Sequence, residues 1–348
     1  MTVILPSDAA PPGRRWGPDQ DRLHRHLLRQ PSLLPKGVRL LLALSGGQDS
    51  MALLGLLRDL QTLHGWPLSL WHGNHGWRPD ATAQADALAA WAEREGLSVQ
   101  VQRADPLPAS EAEAREWRYR CLLEQAAALG CRHVLTAHTA TDRAETLLLN
   151  LARGSHRRGL GALRARRPLG DGIALVRPLL PFSRDDTGRI CREMGLPLWI
   201  DPSNADTRFS RNRVRADVLP VLEDLHPGAT IRMAALAERL AEEEEQAEEV
   251  LTIALGALAV APGLPGATAA LNRRSLAALQ AANQRLLVQQ WLRLHWGSAL
   301  GAPSLERLLA RLPLDQGPGR HDLAQGWHLR WEGGRLLLFP PTDHGRPG

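Results

Sequence analysis

Residues 38–54 form the stretch that most constrains what this chain can fold into. The stretch begins with an apolar run over residues 38–44 that only Arg39 interrupts. A run of this length without alternation predicts a strand buried on both faces of a parallel sheet. A small-residue segment, residues 45–50, ends the run, and apolar residues at helical spacing follow it. The predicted local structure is therefore a strand, a short loop and a helix.

The loop over residues 45–50 has the composition of a phosphate-binding turn. Its two glycines let the main chain approach phosphate oxygens, and the N-terminus of the following helix presents backbone N–H groups to an anion. Its serines add hydroxyl donors, and Asp49 is placed to hold a Mg²⁺ ion beside the phosphates. An ordinary turn with Ser50 as a helix cap would use the same residues. No Gly-Lys-Ser/Thr follows the glycines, which excludes a Walker A loop.

Apolar segments and helical patterns alternate along the next part of the chain. Further strands are predicted near residues 68–71, 99–103, 133–137 and 173–176, with helices near 82–95, 110–128, 142–153 and 184–193. This alternation predicts an α/β fold with a doubly wound parallel sheet, in which ligands bind at the carboxyl ends of the strands. The loop at 45–50 and the segments 72–78 and 138–145 would all lie at that edge. We therefore expect one active site there.

The chain changes character after His226-Pro-Gly. The pattern predicts one long amphipathic helix over residues 231–258, two shorter helices near 284–295 and 304–312, and a hairpin of strands 327–331 and 335–339. This part has no cluster of catalytic side-chain types, so we expect a smaller α+β domain that positions the substrate. The predicted organisation is a disordered lead (1–20), a catalytic domain (21–218) and this C-terminal domain (228–340).

Positive charge is concentrated in one region. The whole chain has a net charge of +5, whereas residues 151–215 contain fourteen Arg against six Asp or Glu. Dense arginine suits contacts with RNA phosphates, although a solvated basic face has the same composition. No apolar run is long enough to cross a membrane and no signal-like core begins the chain, which predicts a cytoplasmic protein. Three cysteines without a Cys-x-x-Cys pair indicate neither a disulfide framework nor a zinc site.

Seven motifs, taken in their order along the chain, carry a resemblance to a known family. They are Ser45-Gly-Gly-Gln-Asp-Ser50, His72-Gly-Asn-His75-Gly-Trp-Arg78, Ala114-Arg-Glu-Trp-Arg118-Tyr119, Thr136-Ala-His138 with Asp142 to Thr146, Arg177-Pro-Leu-Leu180, Asp201-Pro-Ser-Asn204 and Arg211-Asn-Arg-Val-Arg215. Over residues 37–330 the chain resembles the tRNA(Ile)-lysidine synthetase family of the PP-loop superfamily, the N-type ATP pyrophosphatases. The resemblance implies an adenine nucleotide alpha hydrolase-like sheet. It also implies the shorter family form, with the first C-terminal domain and without the second.

The resemblance implies an ATP-dependent ligase reaction in two steps. ATP would adenylylate the C2 oxygen of the wobble cytidine in an isoleucine tRNA with a CAU anticodon and release pyrophosphate. The ε-amine of free L-lysine would then displace AMP. The resemblance thus implies ATP and Mg²⁺ as cofactors, and the tRNA and L-lysine as partners. It leaves open whether the chain forms a homodimer.

The resemblance also assigns roles to residues. Catalysis falls to Asp49, Arg118 and His138, and Asp49 is also the implied metal ligand. ATP binding falls to Ser45, Gly46, Gly47, Gln48, Asp49, Ser50 and His72. Lysine binding falls to Asp142 and Glu145, and tRNA binding falls to Arg157, Arg158, Arg211, Arg213 and Arg215. The structural alternatives are a helix-surface arginine for Arg118, a packed histidine for His138, and helix-dipole partners for the two carboxylates.

One segment departs from the family pattern. Relatives tend to carry a second His, an Asp and a Gln where this chain has Thr139, Thr141 and Arg143. Arg143 therefore adds a positive charge beside the expected lysine site, which the family pattern does not predict. Two other functions stay open: a tRNA thiolase built on the same loop, which would need a reactive cysteine, and an inactive homologue that only binds RNA. Release of pyrophosphate that depends on both lysine and tRNA would separate the three.

Overall fold

The computed structural model describes residues 3–4, 16–199 and 210–341. The chain divides into two compact units, residues 1–242 and 243–348, and the division falls inside a long helix. The predicted disordered lead lies largely outside the described residues, but its last residues belong to the first helix, which begins at Pro18. The motif at residues 201–204 also lies outside the described residues.

The elements of the first unit alternate as the sequence predicts. In chain order they are β1 (Val3–Ile4), α1 (Pro18–Arg29), β2 (Leu40–Ala43), α2 (Gln48–His64), β3 (Leu68–Asn74), α3 (Ala81–Arg94), β4 (Val99–Arg103), α4 (Glu111–Ala128), β5 (His133–Leu135), α5 (Ala140–Ala152), α6 (Arg157–Leu160), β6 (Arg166–Gly170), β7 (Ile173–Val176), α7 (Arg184–Glu193), β8 (Leu198–Trp199), α8 (Ser210–Arg213), a π-helical turn (Val214–Val218), α9 (Leu219–Leu225) and α10 (Ala229–Leu258). β1 pairs with β8 as a two-stranded ribbon.

Six strands form the central sheet in the order β4-β3-β2-β5-β7-β6. Neighbours from β4 to β7 pair in parallel, and β6 joins β7 antiparallel at one edge. β2 lies in the middle and is buried on both faces: Leu40 and Leu42 face one apolar core, and Leu41 faces the other. The apolar run at residues 38–44 therefore forms the doubly covered strand that its pattern predicts. This arrangement confirms the predicted fold class.

Two strands differ from the sequence prediction. β6 is not predicted, because its Arg-Arg-Pro start has no apolar alternation, and it forms by pairing with β7 at a sheet edge where a proline is tolerated. β3 continues to Asn74, past the predicted end at residue 71, because Asn74 still pairs with Arg103 of β4. His72 is consequently a strand residue and not a loop residue.

The second unit is built around a small antiparallel sheet. After α10 come β9 (Ala269–Asn272), α11 (Arg273–Ala277), α12 (Ala281–Trp296), α13 (Ala302–Leu309), β10 (Gly319–Asp322), β11 (His328–Glu332) and β12 (Arg335–Phe339). The strand order is β10-β11-β12-β9, which adds two strands to the predicted hairpin. Arg273 is buried and donates to the carbonyl oxygens of Leu312 and Pro313, so it ties the loop after α13 to α11. Among the helices of the described residues, none combines the length and apolarity that a membrane crossing needs.

Candidate active site at the carboxyl edge of the sheet

The loop at residues 45–50 joins β2 to α2 and is stabilised by hydrogen bonds between its own residues. Ser50 donates to the carbonyl oxygen of Gly47 at 2.9 Å, and the hydroxyl oxygens of Ser45 and Ser50 lie 3.0 Å apart. Gly46 has a φ of +81°, a conformation that favours glycine, and a Cβ there would lie in tight contact, 3.3 Å from the Trp199 ring. No side chain of the described residues caps the start of α2 at Gly47. The first turn of α2 therefore presents its N–H groups to the sheet edge.

Two residues of α7 hold Asp49. Arg184 donates to one carboxylate oxygen at 2.7 Å, and the Thr187 hydroxyl donates to the other at 2.5 Å. Gln48 completes the contact, since its amide nitrogen lies 2.6 Å from the carbonyl oxygen of Arg184 and 2.9 Å from the Thr187 hydroxyl. Burial raises the pKa of Asp49, and the charge of Arg184 opposes this rise. Sequence reasoning missed Arg184 and Thr187, which carry no motif signal beyond their place at a predicted helix start.

His72 supports the loop from the neighbouring strand. Its Nδ1 atom lies 2.8 Å from the carbonyl oxygen of Leu44, the residue directly before the loop. Burial lowers the pKa of His72, so the ring is neutral and donates to that carbonyl. His72 therefore links β3 to the end of β2 beside the proposed phosphate site.

His75 and Arg118 form a second pair at the same edge. Arg118 Nη2 donates to Nε2 of His75 at 2.8 Å, and the His75 ring meets the edge of Trp117 with centroids 5.0 Å apart. Burial and the positive charge of Arg118 lower the pKa of His75 to about 4, which keeps the ring a neutral acceptor. Its Nδ1 is buried and lacks a partner among the described residues. The sequence motif contained His75, but only His72 received a role from it.

The carboxylates Asp142 and Glu145 meet two arginines. Arg211 bridges them, with Nη2 2.8 Å from Asp142 and Nε 2.6 Å from Glu145. Arg215 Nε lies 2.6 Å from the second oxygen of Glu145, which is completely buried. Burial alone would raise the pKa of Asp142, but the charge of Arg211 and the hydrogen bond from the Thr139 N–H hold it below its ordinary value. The residues expected to bind lysine and two of those expected to bind tRNA thus form one charge-balanced cluster.

His138 lies beside this cluster as a neutral ring. Its Nδ1 atom is 3.0 Å from the Thr136 hydroxyl. Burial lowers the pKa of His138 to about 3; the charges of Arg177 and Arg211 act in the same direction, and Asp142 opposes them. A ring with this pKa is a poor proton acceptor at neutral pH. The low pKa, together with the contact to Thr136, favours His138 as a hydrogen-bonding group over a general base.

The three departures from the family pattern have structural roles. Thr139 caps α5 by accepting from the Asp142 N–H, and the Thr141 hydroxyl accepts from the Arg184 N–H at 3.0 Å. The buried Arg143 guanidinium pairs with Glu238 at 3.3 Å and donates to the carbonyl oxygen of Leu163. Its positive charge is neutralised at α10, so it does not compete for Asp142 or Glu145.

The remaining arginines assigned to tRNA are exposed. Arg157 and Arg158 lie on α6, and Arg213 pairs loosely with Asp217 at 3.4 Å. Arg184 links the loop to α5, because its guanidinium donates to Asp49 and its backbone N–H donates to the Thr141 hydroxyl. The edge of the sheet therefore combines the glycine-containing loop at residues 45–50, a carboxylate pair and several arginines.

Comparisons with known proteins agree with this geometry. The PP-loop domain family matches residues 20–222. A tRNA(Ile)-lysidine synthase from Parasynechococcus marenigrum (strain WH8102) is 50% identical over 332 residues, which cover 94% of this chain and 96% of that protein. The chain belongs to the tRNA(Ile)-lysidine synthase family. A second family member, from a strain of Prochlorococcus marinus, is 42% identical, and the match covers 93% of this chain and 97% of that protein.

Membership of the tRNA(Ile)-lysidine synthase family confirms the predicted family and the predicted enzyme class, an ATP-dependent ligase. Among solved structures, the U34-tRNA thiolase NcsA from Methanococcus maripaludis with its [4Fe-4S] cluster matches with a TM-score of 0.54. The match covers 64% of this chain and 78% of that chain at 19% sequence identity. At this identity the likeness shows a shared fold alone.

The cysteines do not support thiolase chemistry. Cys121, Cys131 and Cys191 are all buried free thiols. Burial raises the pKa of each, to about 12 for Cys191, so none is a ready thiolate. Within the described residues, no group of three or more His, Cys, Asp or Glu side chains is arranged to hold a metal ion.

Proposed function

We propose that this chain joins L-lysine to C2 of the wobble cytidine in an isoleucine tRNA with a CAU anticodon. ATP drives the reaction through an adenylylated RNA intermediate. The observation that carries the proposal is that Arg184 contacts both Asp49 of the loop and Thr141 of α5, the helix that also carries Asp142 and Glu145. Family membership supports the same reaction, because relatives of this kind are named tRNA(Ile)-lysidine synthases.

In the first step the C2 oxygen of cytidine attacks the α-phosphorus of ATP. The bond from that phosphorus to the bridging oxygen breaks, and pyrophosphate leaves. The N–H groups at the start of α2 and the hydroxyls of Ser45 and Ser50 would bind the departing charge. Arg118, held by His75, would bind the α-phosphate. His138 would donate or accept a hydrogen bond beside the reacting atoms.

Asp49 suits a Mg²⁺ ion together with the phosphates of ATP. Mg²⁺ is commonly bound by one or two carboxylates and by substrate phosphates, and Asp49 is the loop's own carboxylate. Both Asp49 oxygens already accept hydrogen bonds, so Arg184 would have to release one of them. A bound ion would screen the phosphate charge during the first step.

In the second step the neutral ε-amine of lysine attacks C2, and AMP leaves with the C2 oxygen. Asp142 and Glu145 would hold an ammonium group of lysine, since a partly desolvated cation needs carboxylate partners. Arg211 and Arg215 now occupy these carboxylates. An RNA phosphate that withdraws one guanidinium would open a carboxylate oxygen to lysine, so these arginines would couple RNA binding to lysine binding.

The RNA would also contact the exposed arginines. Arg157, Arg158 and Arg213 are accessible for phosphate contacts. A tRNA substrate agrees with the cytoplasmic location that the sequence predicts. The proposal does not depend on whether the chain forms a homodimer.

The test of the proposed function is a pair of product assays. We expect sustained pyrophosphate release from ATP to require both the CAU-anticodon tRNA and L-lysine, whereas a single turnover without lysine should release pyrophosphate but no AMP. The matched control is the same tRNA with uridine at the wobble position, which lacks the cytosine that the reaction modifies. Pyrophosphate release that ignores both RNA and lysine would contradict the proposal. RNA binding without any pyrophosphate release would favour the inactive RNA-binding homologue.

A further inference from the structure

Trp77 presents an exposed aromatic face at the carboxyl edge of the sheet. It follows the end of β3, and its side chain is 48% exposed. Among the described residues one other tryptophan is exposed to this degree, Trp16 at 52%, and it lies before α1 against His24. Trp77 is therefore the exposed tryptophan that lies at the edge carrying the candidate active site.

The Trp77 ring is held in place. Its Nε1–H donates to the carbonyl oxygen of Pro108 at 2.7 Å, which joins the loop after β3 to the loop after β4. The same two loops meet where Leu107 packs over Gly76, since a Cβ on Gly76 would lie 2.5 Å from Leu107. An exposed ring that is already fixed loses little conformational freedom when a flat partner stacks on it.

The surroundings of Trp77 suit a flat partner with a negatively charged backbone. Its ring centroid lies 5.6 Å from that of His75, which accepts a hydrogen bond from the exposed Arg118. Arg115, one turn earlier on α4, is exposed as well. Unstacked RNA bases bind to aromatic side chains while arginines contact the adjoining phosphates. A nucleobase therefore matches both the shape and the charge of this surface.

We propose that Trp77 stacks on the wobble cytidine of the RNA substrate and holds it beside Arg118. This inference rests on the proposed function, because adenylylation at C2 requires the cytosine to leave the stack of the anticodon loop. The indole would replace the stacking that the base loses, and Arg118 would lie on the side where the α-phosphate of ATP must meet C2.

Binding of two small RNAs tests this role. One is an anticodon stem–loop with the CAU sequence, and the other is the same RNA with an abasic wobble position. We expect the wild-type chain to bind the cytidine RNA about 5- to 150-fold more tightly, which is the range that loss of one stacked base produces. Trp77→Leu should abolish this preference and leave the salt dependence of binding unchanged, because no phosphate contact is lost.

Two further variants separate the effect of the aromatic ring of Trp77 from other effects of the substitution. Trp77→Phe also loses the hydrogen bond to Pro108 but keeps an aromatic face, so it should retain most of the preference that Trp77→Leu loses. Trp16→Leu removes the other exposed tryptophan and should behave as wild type. Thermal unfolding of each variant checks that the fold is intact.

The outcomes separate this inference from the function on which it rests. Equal wild-type affinity for both RNAs, or an undiminished preference in Trp77→Leu, would overturn the role of Trp77 while leaving the proposed reaction in place. A wild-type chain that binds neither RNA and releases no RNA-dependent pyrophosphate would overturn the proposed function, and this inference with it.

Discussion

The Nε atom of Arg211 lies 2.6 Å from a carboxylate oxygen of Glu145, whose side chain is completely buried. Arg215 approaches the other oxygen at the same distance. A buried carboxylate is stable when it is paired and costly when it is not. The cluster therefore keeps its charge balanced, and under the proposed function lysine would exchange with a guanidinium to reach Glu145.

This exchange gives the first prediction. Arg215→Gln should strengthen binding of L-lysine in the absence of RNA, because one oxygen of Glu145 loses its competing cation. Equilibrium dialysis with labelled lysine would measure a several-fold lower Kd, and added tRNA should then improve lysine binding less than it does for the wild type. Arg213→Gln is the matched control, since Arg213 is exposed and contacts Asp217. Unchanged lysine affinity in Arg215→Gln would show that the arginine does not block the site.

The carboxylates themselves give the second prediction. Asp142→Ala and Glu145→Ala should raise the KM for lysine or block AMP release, and at least one of them should still form adenylylated tRNA without lysine. The reason is that lysine enters only in the second step. Trapped adenylylated RNA in lysine-free reactions is the measurement. Its absence in both variants would favour a metal-binding role for the pair.

The third prediction concerns Asp49. Asp49→Asn keeps the shape of the side chain but removes the charge that would hold Mg²⁺, so adenylylation should be lost while tRNA binding stays nearly intact. Pyrophosphate release and a gel-shift titration, made on the same preparation, would check the two halves of this expectation. If RNA affinity fell together with activity, Asp49 would serve the RNA site or the fold.

The fourth prediction concerns His75 as a positioning residue for Arg118. His75→Leu removes the acceptor for the guanidinium at 2.8 Å, so kcat for pyrophosphate release should fall by about 10-fold, in line with the loss of one positioned hydrogen bond to a charged group. His75→Gln can supply an acceptor and should recover part of this rate. The KM for tRNA should change little in either variant. Equal loss in Leu and Gln variants would assign His75 a packing role.

The fifth prediction is a pH dependence of stability. His75 and His138 have pKa values of about 4 and about 3 in the folded chain, below the ordinary value of 6.5. The unfolded chain therefore binds more protons between pH 6.5 and these values, and the free energy of unfolding should fall as the pH drops through that window. Urea unfolding at pH 7 and pH 5 would measure this fall. This fall should be smaller in His75→Gln than in the wild type.

Local patterns in the sequence were sufficient for the main elements of the first unit. The ends of β7 and α7 agree with the predicted ranges 173–176 and 184–193, and α4 begins where the range 110–128 predicts, with Ser110 as its cap. Apolar periodicity and capping depend on residues a few positions apart, so they are visible without the fold. The loop at residues 45–50 could also be predicted from local sequence, because its glycines and the signals for a helix start lie within six neighbouring residues.

Only the tertiary structure decided which partner each charged side chain takes. Arg184 and Asp49 are 135 positions apart in the chain, and Arg211 and Glu145 are 66 apart, yet each pair is within hydrogen-bond distance. The sequence placed Arg211 and Arg215 in a basic segment and predicted RNA contacts, but it held no sign that both turn toward buried carboxylates. A local pattern fixes the face on which a residue lies. The packing of α5 against the segment that begins at Ser210 determines which charges share a low-dielectric space, and there each charge must be paired.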